Sequence, residues 1–101
     1  MIRSKKYLQS ARGQDCTIQI PGVCNHDSST VVAAHSNRQK HGKGMGQKSH
    51  DIFVAWSCSN CHSAIDGHLN TTYSAVDLYD FWVRGFERTL VKAIEEGLIT
   101  L

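Results

Sequence analysis

Four cysteines, arranged in two pairs, are the first residues of this sequence that indicate a specific chemistry. Cys58 and Cys61 form a C-x-x-C motif, while Cys16 and Cys24 flank a Pro-Gly dipeptide, which is a strong turn signal. The turn brings the thiolates of Cys16 and Cys24 to one side. The first turn of a helix that begins at the second pair brings the thiolates of Cys58 and Cys61 together. Because Zn²⁺ prefers four soft ligands in a tetrahedron, the spacing predicts a structural zinc ion held by these four residues.

Other uses of the cysteines fit the chain less well. Four cysteines allow three disulfide pairings, but the sequence shows no export signal that would favour them. A thioredoxin-like redox motif needs a βαβ context, which the pattern does not indicate. The run from Cys58 to His62 also matches the C-x-x-C-H haem attachment motif. That use would require export, and it would leave Cys16 and Cys24 without a function.

A histidine and a carboxylate directly follow the second cysteine pair. His62 is next to Cys61, and Asp66 comes four residues later on the same face of a helix. His35 ends a β-branched, strand-like segment. A His and a carboxylate at this spacing can hold a divalent cation against the end of a facing strand. The sequence therefore predicts a second, catalytic metal site close to His35.

Four short segments share their pattern with a known family. In chain order they are Ile20 to Asn25 (IPGVCN), Ala34-His35, Gly44 to Asp51 (GMGQKSHD) and Cys58 to Asp66 (CSNCHSAID). Together they resemble the HNH, or His-Me finger, nuclease superfamily, and more closely the small YbcO-type nucleases encoded in prophages. The resemblance covers roughly residues 10 to 70. It implies an α+β chain with a small treble-clef zinc fold and a ββα-metal core, flanked by a short N-terminal and a long C-terminal helix.

The resemblance also implies roles for individual residues. His35 matches the histidine that acts as general base and activates water for attack on phosphorus, a role that suits an imidazole. His62 matches the helix histidine that ligates the metal. Asp66 stands where many members carry a second histidine or another ligand, and its carboxylate favours Mg²⁺ or Mn²⁺. Asp51 falls near the asparagine that braces the base, and Asn37 is a second candidate for that brace.

One position departs from the family pattern. Many superfamily members place an Asp or His immediately before the base histidine as a metal ligand, whereas here that residue is Ala34, which cannot ligate.

Taken together, the residues and the resemblance predict a metal-dependent endonuclease that hydrolyses DNA phosphodiester bonds, in phage or prophage recombination or DNA processing. Two alternatives stay open: a zinc-stabilised DNA-binding module without catalysis, and a zinc domain that binds other proteins.

Charge is divided unevenly along the 101 residues. The first 50 residues carry eight Lys or Arg against two Asp, a formal +6, whereas residues 51–101 carry a formal −4. A basic half indicates a polyanionic partner, most often nucleic acid. Four bases lie in a glycine-containing segment over residues 36–50, and we expect them to contact the DNA backbone: Arg38, Lys40, Lys43 and Lys48.

Length and hydropathy exclude several protein classes. A chain of 101 residues is expected to form one small domain (1–101) with a thin core, and such domains often depend on a metal or a disulfide. No run of 18 apolar residues is present, so we expect no membrane partner. No apolar signal-peptide segment follows the basic N-terminus, which favours the bacterial cytosol. The pattern does not predict the oligomeric state.

The secondary-structure pattern places these residues on short elements. The predicted elements are a basic helix over 4–12, strands over 16–20, 30–34 and 51–56, a loop over 36–50, and helices over about 59–65 and 74–96. Ser74 and Asp77 resemble a capping box at the start of the last helix. Gly85, inside that helix, costs about 1 kcal/mol relative to Ala, which favours a close contact at this position.

Overall fold

Helix α1 (Lys5–Gln9) is the first element of the computed structural model, which describes all 101 residues. The hydroxyl of Ser4 caps the helix by accepting the backbone N–H of Tyr7 at 3.2 Å. The buried Tyr7 side chain anchors the helix to the core. The helix is shorter than predicted because the chain leaves it through a turn that ends at Gly13, which adopts a left-handed φ of 80°.

Two antiparallel strands form the sheet. Strand β1 (Val32–His35) pairs with strand β2 (Val54–Ser57) in a register that places His35 opposite Val54. Every residue of β2 is buried, which agrees with its apolar sequence. Both strands were predicted, but each begins two or three residues later than expected. A short 3₁₀ turn (Ser28–Thr30) precedes β1, and residues 51–53 form a turn before β2.

The strand predicted over residues 16–20 is wrong. The backbone N–H of Thr17 donates to the carbonyl of Trp56 at 2.8 Å, but Gln19 adopts a left-handed φ of 54°, and the segment forms no strand. Such a φ turns the chain out of the extended conformation that a strand needs. Ile18 and Ile20 are both buried. The apolar alternation in this segment therefore reflects core packing and not strand pairing.

Two further helices follow the sheet. Helix α2 (Ser59–Ile65) agrees with its prediction, and helix α3 (Ala75–Glu95), which packs against β2, confirms the long C-terminal helix. The predicted capping box is present, because the Ser74 hydroxyl accepts the Asp77 N–H at 3.1 Å and the Asp77 carboxylate accepts the Ser74 N–H at 3.3 Å. No helix has both the length and the apolar character that a membrane span requires.

Gly85 of α3 makes the close contact that the sequence predicted. A Cβ at this position would lie 2.7 Å from Cγ1 and 3.0 Å from Cα of Ile18. The helix can therefore approach the segment after α1 only because residue 85 has no side chain. Three residues earlier in α3, the indole N–H of Trp82 donates to the carbonyl of Ala34 at 3.0 Å, which fastens the helix to the end of β1.

The loop over residues 36–50 is more structured than predicted. It contains a 3₁₀ turn (Gln39–His41) and an isolated β-bridge between Gly44 and Gln47. The His41 ring stacks on Phe53, with ring centroids 4.4 Å apart, and its Nδ1 lies 2.6 Å from the hydroxyl of buried Ser36. These contacts hold the start of the loop against the sheet, next to His35.

Candidate functional site

The four predicted zinc ligands meet at one point. Their Sγ atoms all lie within 4.8 Å of one another, and the Sγ atoms of Cys24 and Cys58 are 3.8 Å apart. A tetrahedral zinc ion with Zn–S bonds of about 2.3 Å requires S···S distances of about 3.8 Å, and all four residues are free thiols. The group is therefore able to hold a metal ion and is compatible with zinc: Cys16, Cys24, Cys58 and Cys61.

Backbone N–H groups surround these sulfur atoms. Cys58 is the N-cap of α2, and its Sγ accepts an N–H from the first turn of that helix at 3.4 Å. The backbone N–H groups of Gln19 and His26 donate to the sulfur atoms of Cys16 and Cys24, respectively, and each contact acts to lower the pKa of that thiol. Both donors adopt a left-handed φ, of 54° and 55°, which is uncommon outside glycine. The two N–H groups favour the thiolate form of the cysteine that each contacts.

Protons are distributed unequally among the thiols. The hydrogen bond with Cys61 lowers the pKa of Cys16 to about 4, and the same contact raises the pKa of Cys61. Burial, together with the charge on Cys16, raises the pKa of Cys24 to about 11. Without a cation Cys24 and Cys61 therefore keep their protons, because adjacent thiolates repel one another. A bound divalent cation would release them.

His35 and Asp51, for which the family resemblance implies the roles of base and brace, are in direct contact. His35 lies at the end of β1, and its Nε2 is 2.9 Å from Oδ1 of Asp51 in the turn before β2. Asp51 is 4% exposed, and it also accepts the Ser4 backbone N–H at 2.7 Å and the Arg3 guanidinium at 3.1 Å. Burial by itself would raise the pKa of Asp51, but these hydrogen bonds, with that from His35 the largest, hold it below its usual range.

An ionised Asp51 fixes the tautomer of His35. A carboxylate only accepts hydrogen bonds, so Nε2 of His35 must carry the proton that joins them. In the neutral ring, Nδ1 is then the unprotonated nitrogen and can take a proton from another group. Asn37, the second candidate for the brace, makes no hydrogen bond to His35 and instead lines the cleft described below.

Arg3 is a site residue that the sequence analysis missed. Besides Asp51, its guanidinium contacts the carbonyl groups of Lys48 and Ser49, which fastens the N-terminus to the end of the long loop. The only sequence signal was the general basic character of the N-terminus. Because Arg3 and Asp51 are 48 positions apart, no local pattern indicates their contact.

His62 and Asp66 form a pair on the surface of α2. Nε2 of His62 lies 3.1 Å from Oδ2 of Asp66, and the two side chains are 37% and 36% exposed. The cysteine cluster is the only set of three or more His, Cys, Asp or Glu side chains close enough to hold one ion. The structure therefore brings the two α2 residues together but does not gather His35 with them around a single point.

A cleft of about 480 Å³ opens beside His35. The guanidinium of Arg38 covers the ring of Tyr79, with its Cζ 3.9 Å from the ring centroid. Asp66 lines this cleft, whereas His62 does not. Most of the remaining wall is apolar. The lining residues come from the end of β1, the end of α2 and the first half of α3: His35, Asn37, Arg38, Ala64, Ile65, Asp66, Gly67, Ala75, Leu78, Tyr79 and Trp82.

A second groove, of about 320 Å³, also includes His35 and is basic. Its three charged residues are Lys5, Arg12 and Lys48, and no acidic residue lines it. Lys48 was one of the bases predicted to contact DNA, whereas Lys5 and Arg12 belong to the predicted basic helix and were not assigned that role. His35 is thus the one residue that the apolar-walled cleft and the basic groove share.

The other bases of the long loop lie in different surroundings. Arg38 lines the cleft, and the amino group of Lys40 lies 6.0 Å from the centroid of the same Tyr79 ring. Lys43 lines neither the cleft nor the basic groove. Of the four predicted DNA contacts, Arg38 therefore lines the cleft with His35, and Lys48 lines the basic groove with it.

Comparisons with known proteins identify the family of the chain. A family model described as "Putative nuclease YbcO" matches residues 5–98. Two curated relatives with that name, from Escherichia coli (strain K12) and Enterobacteria phage 82, are each 36% identical over 91 residues, which cover 90% of this chain and 93% of the relative. A solved structure described as "Structure of a putative bacteriophage protein from Escherichia coli str. K-12 substr. MG1655" superposes with a TM-score of 0.73 and 33% identity, over 89% of this chain and 98% of that chain. The chain therefore belongs to the YbcO family.

Proposed function

We propose that this protein is a metal-dependent endonuclease that hydrolyses DNA phosphodiester bonds in phage or prophage DNA processing, in the cytosol of a bacterial host. The names of its relatives support a nuclease-like function in a prophage context. The observation that carries the proposal is the hydrogen bond between His35 and Asp51 at the junction of a cleft and a basic groove. It provides a general base at a place where a phosphate backbone can lie.

His35 is the base in this proposal. Because Asp51 holds the proton on Nε2, the free Nδ1 accepts a proton from the water that attacks phosphorus. The imidazolium that forms is then stabilised by the Asp51 carboxylate. Asp51 itself keeps its charge, because its hydrogen bonds lower its pKa. Phosphoryl transfer needs little more than this proton transfer, correct positioning and charge stabilisation from a protein.

His62 and Asp66 are the residues that would hold the catalytic cation. Two ligands of this kind suit Mg²⁺ or Mn²⁺, since Mg²⁺ usually keeps several water molecules and binds through one or two carboxylates. When bound, the cation would supply positive charge to the scissile phosphate and the leaving oxygen. Ala34 adds no ligand, because it is 1% exposed and its carbonyl is bound to the indole of Trp82.

We infer that the four cysteines hold a structural zinc ion. With this ion, the turn around Gly22 and the start of α2 form a treble clef, and β1, β2 and α2 form the ββα-metal core of an HNH-type nuclease. Three of the four thiols are buried, which removes them from the reaction. The ion would instead stabilise a domain whose core is thin for its length.

Basic side chains on both sides of His35 would hold the nucleic acid. Such contacts fix the position of the backbone without reading its sequence. They also make the affinity fall as the salt concentration rises, because binding releases counterions. The proposed contacts are Arg38, Lys40, Lys43 and Lys48 from the long loop, together with Lys5 and Arg12 of the basic groove.

The direct test compares cleavage and binding in matched variants. Zinc-loaded protein with Mg²⁺ or Mn²⁺ is incubated with supercoiled plasmid. We expect wild-type protein to nick it, and His35→Ala to bind DNA with unchanged affinity but to cut it about 10²- to 10⁴-fold more slowly. His68→Ala is the control, since His68 is exposed and its ring makes no hydrogen bond. Equal cutting by wild type and His35→Ala would contradict the assignment of the base.

A second candidate function is a DNA-binding module without catalysis. The buried Ala34, which leaves β1 without a metal ligand, favours this candidate. It predicts that wild type and His35→Ala bind DNA equally and that neither cuts it with any divalent cation. The same pair of proteins therefore distinguishes the two functions.

A further inference from the structure

The cleft beside His35 has more apolar surface than a phosphate backbone needs. Its volume of about 480 Å³ lies within the range of about 300–1,000 Å³ that is typical of small-molecule sites. Ala64, Ile65, Ala75 and Leu78 form apolar wall, and Tyr79 adds an aromatic ring. Phosphate and sugar contacts would leave this surface unused. The cleft instead suits a flat, largely apolar group that is attached to a strand passing His35.

We propose that the cleft binds one unpaired base of the substrate strand, next to the scissile phosphate, so that the protein acts on single-stranded or locally melted DNA. This inference rests on the proposed function, because it places the reacting phosphate at His35. The basic groove, which His35 also lines, would hold the adjoining phosphates. The strand would then run from Lys5, Arg12 and Lys48 across His35, with one base turned into the cleft.

The pairing of Arg38 with Tyr79 supports a base as the occupant. The Cζ of the exposed Arg38 guanidinium lies 3.9 Å from the centroid of the Tyr79 ring, and Tyr79 in turn stacks on Trp82 with an interplanar angle of 8°. Unstacked bases bind to proteins on such aromatic rings and guanidinium planes. A stack of this kind accepts any base, because every base has a π-face.

A paired base would not fit this surface. Inside a duplex a base presents only its polar edge to a protein, and its faces are covered by its neighbours. Apolar walls would leave those edge groups without hydrogen bonds, which is costly. An unpaired base instead places its faces against Arg38 and the apolar wall. The exposed Asn37, whose amide both donates and accepts, is then available to its Watson–Crick edge.

The test measures binding without added divalent cation, so that it does not depend on cleavage. Fluorescein-labelled single-stranded oligonucleotide and a duplex of the same length are titrated and followed by fluorescence anisotropy. Arg38→Lys keeps the charge but removes the planar group. Arg84→Lys is the matched control, because Arg84 is exposed on α3 and lines neither the cleft nor the basic groove. We expect Arg38→Lys to weaken single-strand binding about tenfold or more and to leave duplex binding within about twofold. Arg84→Lys should change both affinities by less than about twofold.

A second comparison separates stacking from charge. Wild-type protein should bind an oligonucleotide of abasic nucleotides about tenfold or more weakly than the normal strand, because the phosphates are the same and only the stacking is lost. Tyr79→Phe should retain full single-strand affinity, whereas Tyr79→Leu should lose it. Equal affinity for normal and abasic strands, or equal losses for Arg38→Lys and Arg84→Lys, would overturn the inference. Either of these results would leave the cleavage test of His35 unaffected. A protein that prefers single strands but does not cut DNA would contradict the proposed nuclease function and not the binding of a base.

Discussion

The contact between His35 and Asp51 predicts a large and specific effect of Asp51→Asn. The carboxylate faces three donors: the Ser4 backbone N–H, the Arg3 guanidinium and Nε2–H of His35. Asparagine has a single acceptor oxygen, and its NH₂ group would have to face one of those donors. At least one charge-assisted hydrogen bond, of about 1.5–3 kcal/mol, is therefore lost, and a buried donor is left unpaired. The Arg3 contact adds least, because its side chain is 43% exposed and screened by water.

We expect Asp51→Asn to lower the free energy of unfolding by about 2–4 kcal/mol at pH 7. Because the fold lowers the pKa of Asp51, its stabilisation is fully present above the ordinary carboxyl range near pH 4 and is lost as the pH falls through the lowered pKa. The difference between wild type and Asp51→Asn should therefore be largest at neutral pH and shrink in acid. Loss of a zinc ion in acid would affect both proteins equally and cancel in the difference.

The assay is urea unfolding followed by the fluorescence of Trp56 and Trp82, both of which are buried. Asp27→Asn is the control, because Asp27 is exposed and its capping oxygen is retained in asparagine, so little change is expected. Nitrogen NMR of the His35 ring gives a second readout. It should show the proton on Nε2 in wild type and a mixture of tautomers in Asp51→Asn. In the plasmid assay, Asp51→Asn should cut about 10²- to 10⁴-fold more slowly. Unchanged stability and an unchanged tautomer in Asp51→Asn would refute the reasoning.

Three further predictions concern the positions that hold the fold. Metal analysis should find about one zinc per chain, with protons released on binding, and Cys58→Ser should unfold the domain at neutral pH. Zinc-free protein that keeps its full thermal stability would contradict the proposed zinc site. Gln19→Gly should keep or raise the melting temperature because it relieves a left-handed φ of 54°, whereas Gln19→Val should lower it. Gly85→Ala should cost about 1–3 kcal/mol in urea unfolding despite the better helix propensity of alanine, because its Cβ would lie 2.7 Å from Ile18. A more stable Gly85→Ala protein would show that the two segments separate easily.

Local patterns in the sequence predicted the parts of the fold that depend on local contacts. The capping box of Ser74 and Asp77 and the C-x-x-C motif at the start of α2 involve residues three positions apart, so their geometry follows from the helix itself. The strand predicted over 16–20 failed for the opposite reason. The burial of Ile18 depends on a glycine of α3 that is 67 positions away, and a one-dimensional pattern cannot distinguish such burial from a strand.

The candidate site could be predicted only in part for the same reason. The contact of His35 with Asp51 was expected because a family resemblance supplied a relation between distant segments, which the residues alone do not contain. Arg3 and the stack of Arg38 on Tyr79 had no such guide, since they join the N-terminus and α3 to the rest of the site. Long-range contacts of this kind are set by packing after the elements form, and they decide the shape of both grooves.

The cysteine cluster and the cleft share one short helix. The first turn of α2 presents Cys58 and Cys61 to the cysteine cluster. The helix ends at Asp66, about one and a half turns after Cys61, in the wall of the cleft. A helix of seven residues is too short to be stable in isolation, so tertiary contacts must hold it. The cysteine end supplies two of those contacts. A metal ion bound there would therefore set the position of Asp66 relative to His35.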